Sequence, residues 1–174
     1  MTDQELFNAI SEVALLRGEF TLRSGRKSKY YLDKYLFEAD PAILRELGER
    51  FAKHATGSTT RIAGAELGGV ALAASASMAA GLPMLIVRNA KKGYGTQKMY
   101  EGKLEAGDTI LLVEDIATTG GQVIEAAKTI IEAGAKVEKI VAVIDRQEGA
   151  RENIEGAGFA FAALMTKSDL GIDE

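Results

Sequence analysis

The chain has 174 residues, with 21 Lys and Arg against 25 Asp and Glu, a formal charge of −4 and no cysteine. That length suits one domain with a sizeable core, the acidic balance argues against binding to nucleic acid or an anionic membrane surface, and neither a disulfide nor a thiolate metal site can form. His54 is the single histidine and cannot build a zinc site alone, no apolar run reaches the ~18 residues of a membrane span, and the first residues lack a basic-then-apolar leader, so the expected address is cytoplasmic.

Asp3 to Leu16 carries Leu6, Ile10, Val13 and Ala14 at helical spacing, with Thr2 or Asp3 as cap and Gly18 beyond the end. Phe20 and Leu22 then alternate with polar residues, Ser24-Gly25 turns the chain, and Tyr30 to Tyr35 can return as a second strand. This hairpin is crowded with Arg23, Arg26, Lys27 and Lys29 and carries the aromatic faces of Tyr30 and Tyr31. It reads either as a solvated charged hairpin, the preferred reading for Arg26 and Lys27, or as a lid over a flat anionic ring, with cations on the carboxylate and an aromatic wall on the face. Asp40-Pro41 starts a helix that runs with Ile43, Leu44, Leu47 and Phe51 to about His54. A charged histidine suits that end of the helix dipole.

Arg61 to Gly64 reads as a short strand, followed by Ala65-Glu66-Leu67-Gly68-Gly69 and a helix from Val70 to Ala80 closed by Gly81. The N–H groups of this turn can hold a phosphate, or its glycines can simply let helix and strand pack closely. Met84 to Val87 is the next strand. It runs into a long loop, Arg88 to Gly102, without apolar periodicity, where Arg88, Lys91, Lys92 and Lys98 gather around Gly93 and Gly95. Cations on a mobile arm suit closure over an anionic leaving group, although Lys98 reads equally as solvated.

Thr109 to Val113 is a buried strand that hands over to Glu114 and Asp115, and Thr118-Thr119-Gly120-Gly121 makes a tight polar turn. From Val123 a helical stripe of Val123, Ile124, Ala127, Ile130 and Ile131 follows, ended by Gly134. Consecutive N–H groups in such a turn, the partial positive charge of the helix behind it and two threonine hydroxyls converge on one point and form a cradle for a phosphate. The two carboxylates would repel that phosphate, so they should face sugar hydroxyls, a metal shell or developing positive charge. Neither G-x-x-x-x-G-K-S/T nor a G-x-G-x-x-G after a strand occurs, which excludes the two commonest nucleotide fingerprints. Val137 to Ile144 is a further strand ending in Asp145-Arg146. Strand-end polar residues in an α/β sheet lie on the ligand side, so Arg146 is a candidate for a substrate carboxylate, with Asp145 orienting it; a purely structural pair fits the spacing equally. Asn153 to Gly156 is a helical turn, Phe159 to Met165 a last strand near an edge, and the tail from Ser168 carries no readable chemistry. The alternation of strands and helices predicts an α/β fold, a central parallel sheet flanked by helices, with the hairpin above its strand ends. Residues 1–174 read as one unit, with helix and hairpin to about 40 and the α/β core from 41 to about 166.

The strand, acid pair, short spacer and Thr-Thr-Gly-Gly turn resemble the phosphoribosyl pyrophosphate (PRPP) signature of type I phosphoribosyltransferases. Phe20-Thr-Leu-Arg-Ser-Gly-Arg-Lys-Ser-Lys-Tyr-Tyr31 is similar to the N-terminal hood of the orotate phosphoribosyltransferases. The resemblance implies that Glu114 and Asp115 hold ribose hydroxyls, that Ile116, Ala117, Thr118, Thr119, Gly120, Gly121 and Gln122 hold the 5′-phosphate, and that Gly68 lies on the pyrophosphate loop. It further implies Arg88, Lys91, Lys92 and Tyr94 on PRPP, with Lys92 catalytic beside the two acids, and Arg23, Tyr31, Thr118 and Arg146 on orotate. Arg23 stands where bacterial members have a lysine, Gly68 where some have a lysine, Asn89 where a second lysine is common, and Tyr94 where a histidine is common; Lys91 can compensate for Asn89. Mg²⁺ is the implied cofactor, held mainly through PRPP rather than by the protein, and the implied assembly is a homodimer whose loop reaches the neighbouring site. The alternatives are transfer to another nucleobase, or a non-catalytic PRPP sensor on the same fold.

Overall fold

The computed structural model describes residues 1–21, 25, 27–89 and 98–172. Its centre is a six-stranded sheet of β3 (Arg61–Ala65), β4 (Met84–Val87), β5 (Tyr100–Glu101), β6 (Thr109–Ala117), β7 (Lys136–Asp145) and β8 (Phe161–Thr166), in the order β5-β4-β3-β6-β7-β8. All neighbours are parallel except β5, which pairs antiparallel with β4 through Ile86 and Val87. The sheet is therefore parallel with a short antiparallel edge inside the segment read as irregular, and β8 is the other edge, as expected.

Parallel strands buried on both faces need apolar residues at every position. β6 supplies them: Leu111 and Val113 point into one core and Ile110 and Leu112 into the other. The first core is closed by α1 (Asp3–Ala14), α2 (Lys34–Glu38), α3 (Pro41–Ala52) and α4 (Gly69–Ala80), through Leu6, Ile10, Phe37, Leu47, Phe51 and Leu72, all fully buried. The second is closed by α5 (Gly121–Glu132) and α6 (Ala150–Gly156), through Val123, Ala127, Ile130 and Ile154. Burial of each large apolar side chain contributes about 1.5–3 kcal/mol. Ile131 leaves the expected stripe and is 47% exposed.

The N-terminal hairpin pairs β1 (Leu15–Thr21) with β2 (Lys27–Leu32). α1 opens with a full capping box between Thr2 and Glu5 but ends at Ala14, because Leu15 and Leu16 already pair with Leu32 and Tyr31. Tyr35 is helical rather than extended: the Asp33 carboxylate accepts from Tyr35 N at 3.2 Å and caps α2. His54 is half-buried behind α3, and burial together with nearby Lys139 lowers its pKa, so the charged form expected at the helix end is disfavoured.

The strand order sets the place of the site. β3 leads to β4 on one side and β6 leads to β7 on the other, so the loops after β3 and β6 diverge and leave a crevice at their carboxyl ends.

Candidate active site

β6 does not stop at Val113. It runs on to Ala117 because β7 continues beside it, with Glu114 opposite Ala142 and Ile116 opposite Ile144. Its ladder with β3 ends at the Gly64–Val113 pair, so the acids stand on a stretch that keeps only one neighbour. Asp115 is 3% exposed and faces the first core's side of the crevice, where Lys34 Nζ donates to its Oδ2 at 2.5 Å. Burial alone would lower the Lys34 pKa, but the hydrogen bond and charge of Asp115 outweigh it and raise it. Burial and the adjacent Asp115 carboxylate push Glu114 well above the usual carboxylate range. Glu38 of α2 closes the group. Burial and the charge of Asp115 push it up to about 8, and among the described residues its Oε1 has no hydrogen-bond partner. Lys34 and Glu38 escaped the reading of the sequence, since Lys34 and Asp115 stand 81 positions apart along the chain and the contact is concealed. The one available signal was Asp33 as a helix cap, which would have turned Lys34 off the hairpin and toward the sheet.

Residues 114 and 116–123 line a concavity at the end of β6. Gly120 is in the left-handed region, φ 79°, and a Cβ there would stand 2.8 Å from Ile154. The first turn of α5 has no side-chain cap, so its N–H groups point into the concavity unclaimed by a side chain. Thr119 is fixed from behind: its carbonyl accepts from Asn153 Nδ2 at 2.9 Å. The loop after β3 lies across the crevice. The Glu66–Leu67 peptide is cis, and α4 also begins without a side-chain cap at Gly68.

Arg88 and Asn89 border the cradle beside Gly121 and Gln122. Arg88 pairs with Glu66 at 3.8 Å and Glu101 at 3.5 Å, while Asn89 donates to the Glu66 carboxylate and carbonyl, each at 2.8 Å. Asn89 therefore ties the start of the basic loop to the loop after β3. Arg146 donates to Tyr30 Oη at 3.1 Å and lies 5.9 Å from that ring's centre, which joins the hairpin to the end of β7. Its ion pair is with Glu148 at 3.0 Å, whereas Asp145 accepts from Gln147 N; the expected Asp145–Arg146 pair gives way to these. Tyr31 points to the opposite face of β2 from Tyr30, is 44% exposed and packs on Phe20 at 5.7 Å between ring centres. Thr118 is half-buried in the concavity. Arg23, Lys91, Lys92 and Tyr94 lie outside the described residues.

Among the described residues no group of three or more His, Cys, Asp or Glu is arranged to hold a metal, and no helix is long and apolar enough to cross a membrane.

The sequence pattern of the phosphoribosyl transferase domain matches residues 37–163. Orotate phosphoribosyltransferase of Methanocella arvoryzae is 44% identical over 169 residues, covering 97% of both chains. That of Methanocaldococcus jannaschii is 42% identical over 167 residues, covering 95% of both. Among solved structures, Mycobacterium tuberculosis orotate phosphoribosyltransferase in complex with Fe(III) dicitrate superposes with a TM-score of 0.87 at 28% identity, over 97% of this chain and 98% of that one. The same enzyme in complex with PRPP gives a TM-score of 0.79 at 28% identity, over 97% and 98%. With the domain match over most of the chain and these full-length relatives, the chain belongs to the orotate phosphoribosyltransferase family.

Proposed function

We propose that this chain transfers the phosphoribosyl group of PRPP to orotate, giving orotidine 5′-monophosphate and pyrophosphate, in the crevice between β3 and β6. The observation that carries the reading is the meeting, at one pair of strand ends, of an anion cradle at residues 118–122 and the carboxylates of Glu114 and Asp115. The 5′-phosphate docks on the cradle, where α5 lends its N–H groups and partial charge. The ribose hydroxyls then reach Glu114 and Asp115, and these acids favour the positive charge that grows on the sugar as its C1–O bond breaks. The electron pair of that bond leaves with the diphosphate while the ring nitrogen beside the orotate carboxylate forms the new bond to C1 and gives up its proton to the diphosphate or to water. Orotate is already anionic and needs little help from a base, so holding both partners in line is the main task; pre-paid orientation can supply ~7–11 kcal/mol.

Arg146 stands at the end of β7 to meet the orotate carboxylate, and Arg23, Tyr31 and Thr118 complete that side. Arg88, Lys91, Lys92 and Tyr94 meet the charge on the diphosphate, with Lys92 as the catalytic cation. Mg²⁺ would be held mainly through PRPP. With Asp115 Oδ2 engaged by Lys34 and its Oδ1 accepting from Ile116 N, the protein has few carboxylate oxygens to offer, which fits a magnesium ion that would be held mostly by substrate oxygens and water. Bound there, the ion neutralises diphosphate charge. A homodimer is part of the same reading, with the segment from 88 to 102 reaching the neighbouring site. The groove on α3 and α4 in which Pro41, Leu44, Met78 and Ala79 lie beside Arg45, Glu49 and Ser75, with Met78 79% exposed, supports an interface there. A cytoplasmic address fits an enzyme of these soluble substrates.

The test is direct. Protein, Mg²⁺, PRPP and orotate are mixed and orotate's ultraviolet absorbance is followed, with adenine, guanine and uracil as rival acceptors. Loss of the orotate band is expected. A flat trace with heat released on titrating PRPP alone would make the chain a sensor, and turnover of another base would reassign the acceptor.

A further inference from the structure

Around the crevice, charge is distributed unevenly. Three carboxyl groups, Glu38, Glu114 and Asp115, crowd one wall, and Lys34 is the cation placed among them. Lys34 comes from outside the α/β core. Asp33 N donates to Ala14 O at 2.9 Å, and its carboxylate caps α2, so the first residue of α2 is turned from the hairpin down to the sheet. Its ammonium lands at the loop after β3 as well as at β6: a Cβ on Gly68 would stand 3.0 Å from Lys34 Nζ. Among the described residues Asp115 is the one hydrogen-bond acceptor for Nζ, which has three donors to give. The Lys34 side chain is 33% exposed against 4% for Asp115, so the pair opens toward solvent on the lysine's side. The loop from 66 to 69 contains no cation of its own, yet it presents the uncapped start of the twelve-residue α4.

We infer that Lys34 is a diphosphate ligand: it holds Asp115, and when the ribose hydroxyls take Asp115 the ammonium turns to the diphosphate on the loop from 66 to 69. This rests on the PRPP reading above and adds a residue to it. The exchange conserves charge. Asp115 trades an ammonium for hydroxyl donors, and the freed ammonium meets an anion less than one side-chain length away. It also accounts for a glycine at 68, since the space a side chain would need is filled by the carboxylate and the ammonium themselves. Glu38, held toward its neutral form by burial and by Asp115, does not oppose the arriving anion.

Calorimetry with Mg²⁺-pyrophosphate and, separately, ribose 5-phosphate tests this on the parent, Lys34→Met and Lys34→Arg proteins. Lys34→Met is expected to weaken pyrophosphate at least about tenfold, the scale of one lost charge-assisted hydrogen bond, and to leave ribose 5-phosphate unchanged or tighter, because Asp115 is released. Lys34→Arg should keep most of the pyrophosphate affinity and shows the role even if the Met protein does not fold. Equal pyrophosphate affinity in parent and Met protein, equal loss of both ligands, or a failure of the folded Arg protein to bind pyrophosphate would each overturn the inference while the PRPP reading stands. A parent that binds neither ligand would end both.

Discussion

A Cβ built on Gly68 would stand 1.6 Å from Oδ2 of Asp115, an overlap no side-chain adjustment of a small residue can absorb. The glycine is required by the carboxylate across the crevice, not by its own backbone, whose φ of −61° and ψ of −34° suit any residue. Gly68→Ala should therefore fold with an unchanged far-ultraviolet spectrum while displacing Asp115. Because about 1 Å of misplacement can cost 10²-fold, kcat/KM for PRPP is expected to fall by that order. Steady-state assays at varied PRPP decide it; undiminished kcat/KM would mean that Asp115 need not stay where it is.

Asp115→Asn keeps the shape and removes the charge. If the carboxylate holds ribose hydroxyls and favours the cationic sugar, kcat should drop at least about tenfold, while binding of inorganic phosphate to the cradle at 118–122 stays as it was. Lys34 is one-third exposed in the pair and the Asn amide oxygen can still accept from it, so the stability cost is small, about 1 kcal/mol or less. Equal kcat in variant and parent would remove the ribose assignment.

Arg146 joins the hairpin to the core through Tyr30 and is the residue proposed for the orotate carboxylate. Arg146→Ala should raise the KM for orotate by about 10–100-fold, the range of hydrogen bonds to a charged group, with a much smaller change in the KM for PRPP. Tyr30→Phe removes one hydrogen bond to the guanidinium and should show the same pattern on a smaller scale. Initial rates over both substrates separate the two constants, and a uniform rise in both would point to a collapsed hairpin.

Glu38 makes stability depend on pH. Burial and Asp115 push its carboxyl from 4.5 up to about 8 in the folded chain, so between those values the folded state retains a proton that the unfolded state has released. Stability then falls as pH rises through that window and levels off above it. Glu114 shifts in the same direction, so the parent's decline contains both. The comparison with Glu38→Gln isolates one: its melting temperature should gain on the parent's from about pH 5 to pH 8, by an amount set by about 1.4 kcal/mol per unit of displacement and a few kcal/mol at most. Parallel curves for the two proteins would contradict a proton on Glu38.

Much of this site could be read along the chain because its parts are local. The β-branched run of Thr109 to Val113, the acids after it and the turn from Thr118 to Gly121 occupy one continuous segment, and a strand, a turn and a helix start each have near-neighbour rules in sequence. Arg146 was legible for the same reason, as a polar residue where an apolar run ends. Strand limits were less so. β6 reaches Ala117 because β7 lies alongside, and Tyr35 is helical because of a cap at Asp33.

What the order of residues determined alone was the alternation that makes an α/β sheet and the glycine turn that opens α5 at its centre, since both rest on periodicity and on backbone geometry within a few residues. Which face of the hairpin meets Arg146, the choice of Glu148 over Asp145 as its partner, and the meeting of Lys34, Glu38, Gly68 and Asp115 were settled only in three dimensions. The cause is the strand order: β3 and β6 become neighbours across more than forty residues, and helix α2 packs over their ends, so contacts of a few ångströms form between groups that the chain holds far apart.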